Sequence, residues 1–209
     1  MTLPGVFRPR SDTWLLASAA CRQPASGRIL EVCAGPAFSG VAAARHHGAH
    51  LTAVDISWRA VFNAWLNARL NGVRVRALHG DLFEPVAGER FDLILANPPY
   101  LPGMPPPAAG PARAWEAGAD GRALLDRICA AAPAHLAPGG ALLLVHSEVC
   151  GPEATLRAYS DQGLRAEVIA ARRGPLGPLL HERRQQLVAR GMLRHGQADE
   201  DVLVIRGRR

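Results

Sequence analysis

The sequence contains no lysine: all 24 basic residues are arginine, set against 18 acidic ones. The resulting net charge of +6 and pI near 10 would ordinarily point to an anionic partner. An arginine-only, alanine-rich composition reads instead as genomic bias, and the charge by itself does not establish nucleic-acid binding. Cysteine is sparse and scattered. Cys21, Cys33, Cys129 and Cys150 form no C-x-x-C pair, which argues against a disulfide or zinc framework and suits reduced thiols in a cytoplasmic protein. His46, His47 and His50 cluster without an acid or a cysteine at ligand spacing, so no metal is expected. No segment reaches the ~18 apolar residues of a membrane span, and MTLPGVFRPR at the start lacks a signal-peptide core. No membrane association is therefore expected, and no internal repeat is visible.

What is present is an ordinary globular balance, 48% hydrophobic and 20% charged over 209 residues, enough for one domain with a sizeable core. From residue 28 onward, strand-length apolar runs alternate with helix-period segments. RILEVC (28–33), HLTAVDI (50–56), VRALHG (75–80), FDLILA (91–96) and ALLLVHS (141–147) are strand candidates, and DVLVIRG (201–207) is a last one. The continuous apolarity of 91–96 and 141–147 predicts strands covered on both faces, as in a parallel sheet. After VDI, Ser57 is placed to cap a helix whose Trp58, Val61, Phe62, Trp65 and Leu66 form one apolar stripe, ended by Asn71-Gly72. Further helices are expected over about 119–136, closed by Pro138-Gly139-Gly140, and from Pro152. Alternation of this kind predicts a doubly wound, mostly parallel α/β sheet. Residues 1–27 read as an N-terminal helical segment and 28–209 as the main domain, with a proline-rich rim loop at 98–111 and a basic C-terminal helix at 177–191.

In such a sheet, ligands bind at the carboxyl ends of the strands. The first strand leads into Glu31-Val-Cys-Ala34-Gly35-Pro-Ala, and Asp55 ends the second strand twenty positions after Gly35. That spacing suits a carboxylate accepting the hydroxyls of an adenosine ribose, with helix capping as the alternative role. Asp81, after the third strand, can accept from an adenine amine or cap a turn. The fourth strand runs straight into Asn97-Pro98-Pro99-Tyr100. Proline lacks the N–H of a sheet ladder and holds the residue before it extended. The Asn97 oxygen and the Pro98 carbonyl can then accept both hydrogens of a conjugated –NH2 and aim its lone pair, while Tyr100 packs on the planar group. The electrophile that fits is a sulfonium methyl, whose charge disappears on transfer.

With SDTWLL (11–16), the Glu31 loop, VDIS (54–57), GDLFEP (80–85), NPPY (97–100) and WEAGADGRALLDRI (115–128), the chain resembles the class I S-adenosylmethionine methyltransferases. More narrowly, it resembles the short form of the HemK-like enzymes that methylate the glutamine of a Gly-Gly-Gln loop in peptide release factors. The resemblance implies a seven-stranded Rossmann-like sheet, S-adenosylmethionine as cofactor with S-adenosylhomocysteine as product, and a release factor as protein partner. It also implies that Asn97, Pro98, Pro99 and Tyr100 hold the acceptor amide. Glu31, Ala34 and Gly35 would hold the methionine end of the cofactor, Asp55 and Ile56 its ribose, and Asp81 and Leu82 its adenine. Thr13 would lie near the cofactor, as would Asn97, and Trp115 would anchor the rim and touch substrate.

The chain departs from the family at Pro36-Ala37, where a second glycine is usual; Ala37 adds a Cβ and Pro36 removes a donor. This keeps open a cofactor-binding protein without catalysis. A nucleobase amine or a small metabolite presents the same planar –NH2 as glutamine and remains an alternative substrate. Trp58 belongs to the apolar stripe, with adenine stacking as the alternative. His146, at the end of the fifth strand, is a candidate base, although amide methylation needs positioning more than deprotonation. Arg172, Arg173, Arg183 and Arg184 read as a solvated basic face.

Overall fold

The computed structural model describes residues 1–24, 27–108 and 110–209. Seven strands form one sheet: β1 Arg28–Val32, β2 His50–Asp55, β3 Val75–His79, β4 Phe91–Ala96, β5 Leu136–Ser147, β6 Arg165–Pro175 and β7 Asp199–Arg208. Their order is β3-β2-β1-β4-β5-β7-β6. β1 to β5 run parallel, whereas β7 is antiparallel to both of its neighbours. The order reverses at β1/β4, so the loops leaving those adjacent strands open together at the carboxyl edge, where open α/β sheets bind ligands.

Period-two alternation divides the core between the two faces of the sheet. Ile29, Leu51, Leu93, Leu95 and Leu143 pack with helices α1 (Ser11–Cys21), α2 (Phe38–His47) and α3 (Trp58–Leu70). Leu30, Val32, Ile94, Leu142 and Leu144 pack with α4 (Ala123–Ala131) and α5 (Pro152–Asp161). Among the described residues, no helix is long and apolar enough to cross a membrane.

Several sequence expectations are corrected. The aromatic stripe of α3 faces solvent: Trp58 is 70% exposed, Phe62 54% and Trp65 43%. Val61 of the stripe is buried as expected, and beside it the helix seats Ala60, Ala64 and Ala68, small side chains that permit close approach to the sheet. Its buried Asn67 donates from Nδ2 to the Pro36 carbonyl at 2.8 Å, and Leu3 N–H donates to the Asn63 Oδ1 at 2.8 Å. Ser57 makes no side-chain cap. α4 begins at Ala123 rather than near 119, a short 3-10 turn follows it, and Pro138-Gly139-Gly140 lie inside β5. The basic tail is two short helices, α6 Pro178–Glu182 and α7 Arg184–Ala189, broken at Arg183.

Candidate active site

The loop after β1 is a run of tight left-handed turns. Cys33, Gly35 and Ala37 all have φ of +53°. A residue with a Cβ pays roughly 1–2 kcal/mol for that conformation, so the loop is strained twice, at Cys33 and at Ala37. The added methyl of Ala37 is absorbed by the core, where the residue is fully buried. The turns aim main-chain groups at the neighbouring strand. Gly35 N–H donates to Asp55 Oδ2 at 2.8 Å, and Ser57 N–H donates to Asp55 Oδ1 at 2.9 Å. Each oxygen of Asp55 is thereby oriented and keeps a lone pair for a further donor.

Glu31 is only 3% exposed and accepts from Gly40 N–H at 2.9 Å. A Cβ on Gly40 would lie 2.6 Å from that carboxylate, so only glycine allows the approach. Burial pushes the Glu31 carboxyl up to about 8, against the pull of hydrogen bonds from Gly40 and Ser39, and nearby Asp55 adds to the rise. Burial likewise raises Asp55. Among the described residues, no arginine or histidine forms an ion pair with either one. Two desolvated acids that repel each other favour a ligand carrying positive charge, as an ammonium–sulfonium cofactor does. The residues present therefore fit S-adenosylmethionine. Farther along the edge, Leu82 is also left-handed, at φ +48°, and Asp81 accepts from Arg127 Nη2 at 2.7 Å.

The loop after β4 is held by side chains. Asn97 Nδ2 donates to Thr13 Oγ1 at 3.2 Å, and Tyr100 Oη donates to Asp12 Oδ2 at 3.0 Å. Helix α1 thus walls the NPPY segment. Asp12, at 8% exposure, was missed by sequence reasoning, although its position in the SDT tripeptide beside Thr13 was a signal that could have found it. From behind, Cys150 Sγ donates to the Tyr100 carbonyl at 3.0 Å. Gly121 lies so close that a Cβ there would be 2.4 Å from the same oxygen. Burial and the neighbouring Asp12 carboxylate raise the Tyr100 phenol well above its ordinary value, so it stays a neutral donor.

The rim beyond Tyr100 is closed at its base by a short bridge between Leu101 and Glu116, with Leu101 N–H donating to the Trp115 carbonyl at 2.9 Å. Trp115 is half-buried there. Glu116, held below the usual carboxylate range chiefly by Arg183, accepts from Met104 N–H at 2.9 Å and pairs with Arg183. Arg183 also donates to the Pro102 carbonyl at 3.0 Å. Arg183 is thus a staple of the rim, not part of a solvated face. His146 is fully buried, with Nδ1 toward the Ser147 carbonyl at 2.9 Å and Nε2 toward Thr155 Oγ1 at 3.0 Å. Burial lowers it to about 4. With both nitrogens engaged and no exposure, it has no route to a substrate as a base. Trp58 stacks on His79, ring centroids 4.1 Å apart, on the outer surface.

The methyltransferase small domain model matches residues 1–167. The chain is 32% identical over 179 residues to the "Putative protein N5-glutamine methyltransferase" of Methanocaldococcus jannaschii, covering 85% of this chain and 90% of that one. It is 35% identical over 169 residues to the release factor glutamine methyltransferase of Geobacter sulfurreducens, covering 77% of this chain and 59% of the relative. Against the ribosomal protein uL3 glutamine methyltransferase of Bradyrhizobium diazoefficiens it is 39% identical, covering 56% of this chain and 39% of the relative. The chain thus spans most of the archaeal relative and less than two thirds of either bacterial one. Among solved structures, the 16S rRNA N2 G1207 methyltransferase of T. thermophilus, in complex with AdoMet and guanosine, superposes with a TM-score of 0.63 at 21% identity. That match covers 100% of this chain and 46% of that one, and it shows a shared fold.

Proposed function

We infer what the pocket does from one premise: the chain belongs to the methyltransferase small domain family, with S-adenosylmethionine as methyl donor. The chain transfers that methyl group to the side-chain amide nitrogen of a protein glutamine, releasing S-adenosylhomocysteine. The observation that carries this reading is the orientation of Asn97. Its Nδ2 is turned to Thr13, which leaves Oδ1 and the Pro98 carbonyl as acceptors at the end of β4. Two acceptors on one short segment match the two hydrogens of a primary amide. Taking both fixes the amide plane and directs the weakly nucleophilic lone pair toward the methyl group. Tyr100, anchored at its hydroxyl, offers its ring as a wall for the planar acceptor.

When bound, the cofactor supplies an electrophilic sulfonium methyl. The chain's own part is to hold it. Asp55 and Ile56 take the ribose, Glu31, Ala34 and Gly35 the methionine end, and Asp81 and Leu82 the adenine, with Thr13 at the junction with Asn97. Pro99 keeps Pro98 extended, and Trp115 anchors the rim that grips the segment being modified. We place α1, the helix within the N-terminal 1–27 segment, as a wall of this pocket and 28–209 as the methyltransferase domain.

The relatives named as glutamine methyltransferases support a protein substrate. A glutamine flanked by glycines suits a proline-walled mouth, because glycine enters without a side-chain clash. We therefore assign the Gly-Gly-Gln loop of a peptide release factor as the target and the cytoplasm as the place of action. The test is mass spectrometry of a release factor incubated with the enzyme and S-adenosylmethionine. The expected product gains one methyl on the loop glutamine, and none when that residue is replaced by glutamate, which has no –NH2. An unmodified loop beside a methylated nucleic acid or metabolite would transfer the assignment to that acceptor. Cofactor binding with no methylated product of any kind would leave a binding protein.

A further inference from the structure

Asn97 can serve the reaction proposed above only if its oxygen, and not its NH2, faces the acceptor nitrogen. The two ends of an amide are nearly the same size, so packing alone does not choose between them. The choice is made by hydrogen-bond direction. A carboxylate only accepts. Asp12 Oδ1 accepts from the Thr13 hydroxyl at 3.1 Å and from Thr13 N–H at 2.6 Å. The Thr13 hydroxyl has one hydrogen, and giving it to Asp12 leaves its oxygen as an acceptor alone. That oxygen receives Arg10 N–H at 3.3 Å and Asn97 Nδ2 at 3.2 Å. The chain of donors therefore runs Asn97 to Thr13 to Asp12, and it is terminated by a group that cannot reverse it.

We propose that Asp12 is a positioning residue that sets the orientation of the Asn97 amide through Thr13, so that Asn97 Oδ1 is presented to the nitrogen being methylated. Without the carboxylate, the Thr13 hydroxyl is free to donate to Asn97 instead. The amide then flips, and its NH2 meets the substrate's NH2, donor against donor. Asp12 also accepts from Tyr100 Oη, so a second route of action has to be separated from this one.

The proposal rests on the glutamine-amide reading for its effect on turnover, and the experiment carries an arm that does not. In isotope-labelled protein without substrate, the Asn97 side-chain NH2 signal is identified by its loss in Asn97→Ala, and its hydrogen exchange is measured. Asp12→Ala, checked for fold by circular dichroism, should speed that exchange by at least about 10-fold, the scale for losing one or more net hydrogen bonds. Tyr100→Phe should leave it slow, because the Thr13 route is intact. In the turnover arm, Asp12→Ala should lower kcat by about 10- to 100-fold, in line with losing preorganised polar positioning, with cofactor affinity little changed. Asp12→Asn, whose side-chain oxygen is kept toward Thr13 by the main-chain N–H of that residue and still accepts from its hydroxyl, should recover most of that loss. Unchanged exchange in folded Asp12→Ala, or Tyr100→Phe reproducing the whole effect, would overturn the proposal. If the wild type methylated no glutamine, the functional reading would fall while the exchange arm still decided the orientation.

Discussion

The loops after β1 and β4 leave neighbouring strands at the same edge of the sheet, yet they are held by opposite means. The first is backbone under strain: Cys33, Gly35 and Ala37 are left-handed, and main-chain N–H groups orient Asp55 and Glu31. The second has no residue at positive φ between Asn97 and Leu101 and is set by side chains from α1. A cofactor has the same shape on every turnover, so a stiff main-chain cradle suits it. An acceptor amide has to be met by groups of defined polarity, which side-chain networks supply. The comparison teaches that one edge can combine both solutions.

Two buried groups on this sheet, Glu31 in β1 and His146 in β5, should respond to pH in opposite directions, and this is the largest expected effect. Glu31, in β1, is raised to about 8 in the folded protein from an ordinary 4.5. The folded state thus binds the extra proton, and that stability is present below about 4.5 and lost as pH rises through about 8. His146, in β5, is lowered to about 4 from 6.5. The unfolded state binds the extra proton there, so stability is lost as pH falls from 6.5 toward about 4. Each limb amounts to roughly 3 kcal/mol or more. Urea unfolding across this range should show Glu31→Gln flattening the alkaline limb and His146→Gln the acid limb. A shared loss of both limbs in either variant would break the comparison.

The next effect in size is on the cofactor. Asp55→Ala should weaken S-adenosylmethionine binding by roughly 1.5–3 kcal/mol, the range for hydrogen bonds to a charged group, as read by calorimetry. Unchanged affinity in a folded protein would remove Asp55 from the cofactor half. Smaller still is the relief of strain. Ala37→Gly should leave stability within about 1 kcal/mol, because removing a left-handed Cβ gains what the lost methyl and the freer unfolded chain take back. A loss of several kcal/mol in thermal unfolding would mean that the buried methyl, not the turn, holds the loop.

Much of this edge was legible in the sequence, for definite reasons. The FDLILA run and the double proline specify a buried strand with an abrupt end whatever lies around them, and β4 ends at Ala96 as expected. Asp55 was marked by its spacing from Gly35, and the two residues are hydrogen-bonded. The stripe on α3 misled because large apolar residues normally face a core. Here the alanines of the opposite face let the helix sit close, and two asparagines find partners beneath it. β6 was not among the strand segments read from the sequence, because its apolar run is only the four residues Val168–Ala171, flanked by charged residues on an edge strand. The partnership of Asp12 with Tyr100 spans 88 positions and has no local periodicity to announce it.

The central claim is that the β4 loop presents acceptors to the amide while the β1 loop holds the cofactor. It is tested most directly by measuring cofactor affinity and single-turnover methyl transfer side by side in Asn97→Ala. Binding should stay within a few-fold while transfer falls by about 100-fold or more, the scale for losing a preorganised polar group. Near-normal transfer, or a loss of binding that accounts for the whole defect, would contradict the account.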